Sequence, residues 1–227
     1  MKIHIDIDCF FVSATRILYP ELIGKPVAIG GRSDTKIFSR DAKKQIVNFE
    51  NSGSFVPTFY KAYEESDEKV NCKAREGSLG CDLDAFKDKK GRIRGILTTS
   101  SYEARAYGVK TAMNIKEALG LCPNLIIKAS NMSHYQKLSY ELHQFLQTKI
   151  PLVEQASIDE FYADLSGWID DKDIEKFIQN LKDEIKNKIK LPVSIGAAKT
   201  KYIAKMATSS AKPLDAKLYS HMNFIVL

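Results

Sequence analysis

The sequence predicts an α+β fold: a ferredoxin-like, split βαβ sheet with a smaller subdomain inserted after its first strand. Three observations predict it. With residues 10–129 set aside, the patterned segments run strand, helix, strand, strand, helix, strand, which is the split βαβ order. The set-aside stretch carries shorter elements of its own. Acidic residues stand inside otherwise apolar strands at two places that this topology brings together.

Residues 2–7 alternate and are rich in isoleucine, so they read as a buried strand ending in acid. A short helix is expected over 10–18. Turn signals follow at Tyr19-Pro20 and Gly24-Lys25-Pro26, then a strand over 27–29. Residues 32–92 show mixed charge and no sustained period. They carry Phe38, Phe49, Phe55, Phe59, Tyr60 and Tyr63 and end in the charged turn 87–92, and they read as an insertion partly ordered through its aromatics.

Patterning resumes with a strand over 95–99, a short helix over 102–107 closed by Gly108, another over 114–119, and a strand over 125–128. A longer helix begins at Ser133, where Ser133 and Gln136 fit a capping box, and ends near Ile150-Pro151. Residues 152–157 and 161–165 are expected as strands joined tightly at Asp159-Glu160. Ile174, Phe177, Ile178, Leu181 and Ile185 mark an amphipathic helix. A last strand over 193–197 precedes a helix over 199–211 that is basic on one side.

A hydrophobic fraction of 44 % describes an ordinary globular chain. The net charge of +6 and the pI of about 9.0 suit a polyanionic partner or a solvated lysine-rich surface equally well. No apolar run is long enough to span a membrane, and two carboxylates inside the N-terminal stretch exclude a signal peptide. Cys9, Cys72, Cys81 and Cys122 are scattered without a CxxC pair. They read as reduced thiols of a cytoplasmic protein, and no zinc site is expected.

The split βαβ order places the end of the first strand beside the turn between the central strands. Asp6 and Asp8 are therefore expected near Asp159 and Glu160. Buried carboxylates need compensation. Hard divalent cations take carboxylate oxygens and keep affinity for phosphates. Two such ions about 3.5–4 Å apart can activate an attacking oxygen and stabilise a leaving one. The alternative is a pair of buried salt bridges to lysines.

Five segments resemble, in order, the motifs of the Y-family (UmuC/DinB-type) translesion DNA polymerases: IHIDIDCFFVSA, KPVAIGG, TTSSYEARAYGVKTAM, ASIDEFYADLSG and PVSIGAAKTKYIAKMATSSAKP. The match covers about residues 1–31 and 94–213. The resemblance implies a palm over 1–10 and 130–198. It implies fingers over 11–129 with an atypical insertion at about 32–93, and the start of a thumb with a divergent tail over 199–227.

It also implies roles. Asp6, Asp159 and Glu160, with the main-chain carbonyl of Ile7, match the ligands of two Mg²⁺ ions. Asp8 reads as a structural partner rather than a ligand. Phe11 matches the steric gate under the incoming sugar, and its neighbour Phe10 is assigned to the core. Thr99, Tyr102, Arg105 and Lys212 match a triphosphate-binding group. Lys199, Lys201 and Lys205 are read as contacts to the primer backbone. The implied partners are primer–template DNA and deoxynucleoside triphosphates. A sliding clamp, or a second chain supplying thumb and little finger, is a further candidate.

Two departures stand against the family pattern. The segment 32–93 intervenes where the family runs directly on. After Lys212-Pro213 the chain reads Leu214-Asp215-Ala216 and closes on an apolar stretch over 219–227, so the thumb is expected to be incomplete and the little finger absent. A remnant that binds DNA or a partner chain without extending a primer is the rival reading. A nucleotidyl cyclase is a second rival, and the YEAR segment and the Phe10-Phe11 pair argue against it.

Overall fold

The computed structural model describes residues 1–31, 82–88 and 90–219. The aromatics at 38–63, Cys72, Cys81 and the stretch 220–227 lie outside the described residues. In chain order the elements are β1 (Lys2–Ile7), α1 (Phe10–Leu18), β2 (Val27–Gly31), β3 (Ile96–Ser100), α2 (Tyr102–Arg105) and α3 (Ile115–Leu121). They continue with β4 (Ile126–Ala129), α4 (Met132–Gln147), β5 (Val153–Gln155), β6 (Glu160–Asp164), α5 (Ile174–Lys188), β7 (Val193–Ala198), α6 (Lys201–Ala211) and β8 (Ala216–Leu218). No helix among the described residues is long and apolar enough to cross a membrane.

The chain divides into two compact units, Met1–Asp8 with Gln136–Leu227, and Cys9–Tyr135. Residues 199–219 fall in the first unit.

The first unit is built on a five-stranded sheet of order β5-β6-β1-β7-β8. Its first four strands have the expected split βαβ arrangement, with β1 central and antiparallel to both neighbours. Period two puts Ile3, Ile5 and Ile7 on one face of β1 and Lys2, His4 and Asp6 on the other. Helix α5 turns Ile174, Ile178, Leu181 and Ile185 inward. On the side of His4 and Asp6, α6 lies directly on β7. A Cβ at Gly196 would stand 2.2 Å from the Ala204 carbonyl oxygen and 2.3 Å from the Thr208 nitrogen. Only glycine admits the helix at that depth.

Strand β8, parallel to β7, was not expected. It is three residues long, and its approach is fixed by distant groups. The Leu214 N–H donates to Asp8 Oδ2 at 2.9 Å and to Ser194 Oγ at 3.1 Å.

The second unit holds a three-stranded sheet of order β3-β2-β4. β2 runs antiparallel to β3, with an irregularity between Ile29 and Gly30, and parallel to β4. The tail of the expected insertion belongs to this unit's core. Phe86 is buried with Leu97, Ile115 and Ile127, and Leu83 and Ile93 pack beside it. Gly30 leaves room for the Phe86 ring, which a Cβ would meet at 2.5 Å. The charged turn is a hairpin tip, in which Lys87 bridges to Ile93 and the Asp88 carboxylate accepts the N–H groups of Lys90 and Arg92. At the start of α4 the cap is Asn131 rather than Ser133: its side-chain oxygen accepts from the His134 N–H at 3.3 Å. Asn131 already offers a short polar side chain, so the cap lies two residues earlier than the Ser133 pattern suggested.

Candidate active site

In the first unit the acidic residues meet as the topology required. Asp6 is the direct antiparallel partner of Glu160, so both side chains leave the same face. Asp159 and Glu160 are consecutive, yet both serve this region because Asp159 lies in the turn. Its carbonyl accepts the Ile7 N–H at 3.0 Å. Ser157 organises that turn. Its Oγ donates to Asp159 Oδ1 at 2.6 Å and accepts the Glu160 N–H at 3.0 Å. Ile7 closes β1 and is buried.

The carboxylates are compensated by lysines. Lys212 Nζ lies 2.6 Å from Asp6 Oδ1. Lys205 Nζ donates to both Glu160 oxygens, at 2.9 and 2.8 Å. Asp6 is 7 % exposed. Burial pushes its carboxyl up to about 6; Lys212 opposes the rise, and the charges of Asp159 and Glu160 add to it. Burial also pushes Glu160 up, but Lys205, with His4 and Lys212, outweighs it and leaves the group below its ordinary value. The hydrogen bond to Glu160 raises Lys205 in return.

Among the described residues no group of three or more His, Cys, Asp and Glu side chains is gathered so as to hold a metal ion. The residues nonetheless fit a hard cation. The Asp6 and Glu160 carboxylates offer oxygen donors of the kind hard cations take, and each already faces an ammonium group.

Asp8 has the structural role expected of it. Ser194 Oγ donates to its two oxygens at 3.0 and 2.8 Å, and with the Leu214 N–H this ties the segment after Lys212 to β7. Lys201 pairs with Glu154 and lies 5.3 Å from the centroid of the Tyr162 ring. Lys199 is exposed before the Thr200 cap of α6. The three lysines assigned to DNA therefore differ: Lys205 is engaged by the acidic pair, Lys201 by an exposed glutamate, and Lys199 faces solvent.

In the second unit the two adjacent phenylalanines differ in burial. Phe10 is 3 % exposed, whereas Phe11 is half-buried and stacks on Tyr135 with centroids 4.6 Å apart. Thr99 is half-buried on β3 opposite Ile29. Tyr102 and Arg105 share one side of α2, with the Arg105 guanidinium 5.1 Å from the centroid of the Tyr102 ring. Arg105 Nε also donates to the Ser100 carbonyl at 3.1 Å. Ser101 caps α2 through the Ala104 N–H and also accepts the Val27 N–H. Glu103 is held by Arg16 at 2.9 and 3.0 Å.

Sequence reasoning missed His4 and Thr208. His4 Nδ1 lies 2.9 Å from Thr208 Oγ1, and His4 Nε2 lies 3.8 Å from Glu160 Oε2. The signal was the histidine two residues before Asp6, hence on the same strand face. The threonine's part depends on packing of α6 and leaves no local mark.

Comparison with known proteins places these features in a family. The model of the impB/mucB/samB family matches residues 5–51 and 59–209, so it runs through most of the segment that the motifs left unassigned. A DNA polymerase IV of Oceanobacillus iheyensis is 31% identical over 211 residues, covering 93% of this chain and 37% of that protein. A DNA polymerase IV of Actinobacillus pleuropneumoniae serotype 5b is 31% identical over 212 residues, covering 93% of this chain and 43% of that protein. Among solved structures, an insertion ternary complex of Dbh DNA polymerase superposes with a TM-score of 0.69 at 23% identity, over 96% of this chain and 48% of that one. DinB from Sulfolobus solfataricus gives 0.67 at 22% identity, over 96% and 48%. The chain thus spans less than half the length of these relatives.

Proposed function

Because the chain belongs to the impB/mucB/samB family, as its motifs implied, we propose that it carries the catalytic portion of a translesion DNA polymerase, adding deoxynucleotides to a primer 3′-hydroxyl. One observation carries this reading: Asp6 and Glu160 stand opposite each other on neighbouring strands, each already facing a cation.

In this reading Asp6, Asp159, Glu160 and the Ile7 carbonyl would hold two Mg²⁺ ions, which would supply a lowered pKa at an attacking hydroxyl and counter-charge for a triphosphate. The chain's own residues do the rest. Ser157 fixes the turn so that Asp159 and Glu160 serve one place. Lys212, held near Asp6 by the Asp8–Leu214 tie, is a cation for the triphosphate once Asp6 is otherwise occupied. Arg105 and Tyr102 offer a forked donor and a hydroxyl from one helix face, alongside Thr99. Phe11, braced by Tyr135, blocks a 2′-hydroxyl. Lys199 and Lys201 contact the primer backbone. Rate enhancement comes from positioning and charge stabilisation.

The lysine pairs also support the second reading, a remnant in which salt bridges have the permanent hold on the carboxylates. Primer extension with Mg²⁺ separates the two. Asp6→Asn and Glu160→Gln keep side-chain volume, so each is expected to abolish extension while thermal unfolding stays cooperative. Full activity in either variant overturns the assignment. An inactive native chain that binds Mn²⁺ no better than Asp6→Asn does establishes the remnant.

A further inference from the structure

His4 is 1 % exposed, beneath the acidic pair. Its ring packs against Tyr162 with centroids 4.6 Å apart. Its Nε2 has no hydrogen-bond partner and points toward Glu160 Oε2 across 3.8 Å, beyond hydrogen-bond length. Its other nitrogen, Nδ1, meets Thr208 Oγ1 at 2.9 Å. A charge this far from solvent is costly, so the buried ring is neutral and carries one N–H. The question is which nitrogen bears it.

Thr208 has a single hydroxyl proton and three acceptors in reach: His4 Nδ1, and the carbonyls of His4 and Ala204, each carbonyl at 3.0 Å. Neither carbonyl depends on that proton. His4 lies in a strand paired on both edges, and Ala204 lies within α6. If the proton went to a carbonyl, Nδ1 would have to be the donor. A bare Nε2 lone pair would then face a carboxylate, and two acceptors would confront each other in a buried site. If the proton goes to Nδ1, the Nε2–H faces Glu160 instead. The half-buried Glu160 carboxylate favours the second arrangement electrostatically. Gly196 makes the arrangement possible, because only its missing side chain lets Thr208 reach the His4 ring.

We infer that His4 is a positioning residue, locked by Thr208 as the Nε2–H tautomer so that it donates to Glu160 and aims that carboxylate when Lys205 releases it. The inference deepens the polymerase reading and rests on it for the purpose of the aiming, though not for the tautomer. Outer hydrogen bonds of this kind orient ligating carboxylates, and their loss costs about 10–100-fold in metal affinity.

The test uses the full chain with ¹⁵N-labelled histidine, without metal, DNA or nucleotide. Long-range proton–nitrogen spectra distinguish the two neutral tautomers, and His4→Gln identifies the His4 signals among the four histidines. The expected result is Nε2–H in the native chain, with a shift toward Nδ1–H in Glu160→Gln and in Thr208→Val. An Nδ1–H native ring, or a pattern indifferent to Glu160→Gln, overturns the inference. Mn²⁺ titration supplies the second readout. His4→Leu should weaken binding about tenfold, and His4→Gln, which keeps an N–H donor, should recover part of the loss. Unchanged Mn²⁺ affinity in His4→Leu overturns the aiming role. A native chain that binds no Mn²⁺ overturns the two-metal reading, and the tautomer alone then decides the role of His4.

Discussion

The five-stranded unit and the three-stranded unit place their candidate functional groups differently. In the first, charge is packed into the sheet itself. Asp6, Asp8 and His4 are buried on or just after the central strand, and each has a specific partner from another element. In the second, the sheet buries a cation, Lys128 on β4, 2 % exposed and 3.6 Å from Asp82 Oδ1, while the candidate ligand-binding groups Thr99, Tyr102 and Arg105 are half-buried or exposed. The comparison teaches where folding and function compete. A buried carboxylate must be compensated to fold, so the first unit carries lysines in place before any ligand arrives. The second unit compensates its buried Lys128 with Asp82 and keeps its candidate ligand-binding donors nearer the surface.

The largest expected effect sharpens the contrast within a single aromatic pair. Phe10→Ala removes a fully packed ring and should cost about 3–5 kcal/mol in denaturant unfolding. Phe11→Ala removes a half-buried ring and should cost clearly less, while raising incorporation of ribonucleotides in primer extension. An exchange of these two phenotypes shows that the faces were assigned backwards.

What the sequence revealed follows the same division. The alternation of Ile3, Ile5 and Ile7 with His4 and Asp6 predicted β1 and its two faces, and the strand order then brought Asp6 opposite Glu160. Lysine partners could not be read locally. Lys212 and Lys205 reach Asp6 and Glu160 from far along the chain, through the packing of α6 and the turn after it. Strand β8 was invisible for the same reason, since three residues carry no period. Phe86 and Ile93 lie at the end of the stretch read as an insertion, where no sustained period marks them for the core. The pairing of Lys87 with Ile93 and the space above Gly30 draw them in.

The next effect tests whether the first unit's charge is costly. Asp6 rises from an ordinary 3.8 to about 6 on folding, mainly through burial. The folded chain therefore binds the proton more tightly than the unfolded chain. This contribution to stability is fully present below about 4 and is lost as pH rises through about 6, amounting to roughly 3 kcal/mol. Asp6→Asn has no such proton. Denaturant unfolding of both chains from pH 4 to pH 7 should show the variant gaining on the native chain as pH rises. A constant difference between them would mean that Lys212 compensates Asp6 in full.

A smaller effect contrasts two glycines. At Gly196 an added Cβ strikes the backbone of α6, at the Ala204 oxygen and the Thr208 nitrogen. At Gly30 it strikes the ring of Phe86, a side chain that can tilt. Gly196→Ala should therefore cost about 1–3 kcal/mol and Gly30→Ala less, because a helix must move in the one case and a ring in the other. Equal losses in thermal unfolding would show that the Phe86 packing is as rigid as the helix.

The smallest effect on stability belongs to Lys201, and it sharpens the distinction among the α6 lysines. Lys201 and Glu154 are both largely exposed, so Lys201→Ala should change unfolding by no more than about 1 kcal/mol. Lys205→Ala is different, because it leaves the half-buried Glu160 without its main counter-charge and should destabilise the chain more. Binding to primer–template DNA should reverse the ranking. Lys201 is held only by an exposed pair, whereas Lys205 must first give up two hydrogen bonds to Glu160 before it can meet a phosphate. A phosphate contact contributes close to one counterion to the dependence of log K on log salt. Lys201→Ala should therefore lower that slope by about one. Lys205→Ala should change it less. If a salt series gave the reverse, Lys205 would be the DNA ligand and its pairing with Glu160 a resting arrangement that DNA displaces.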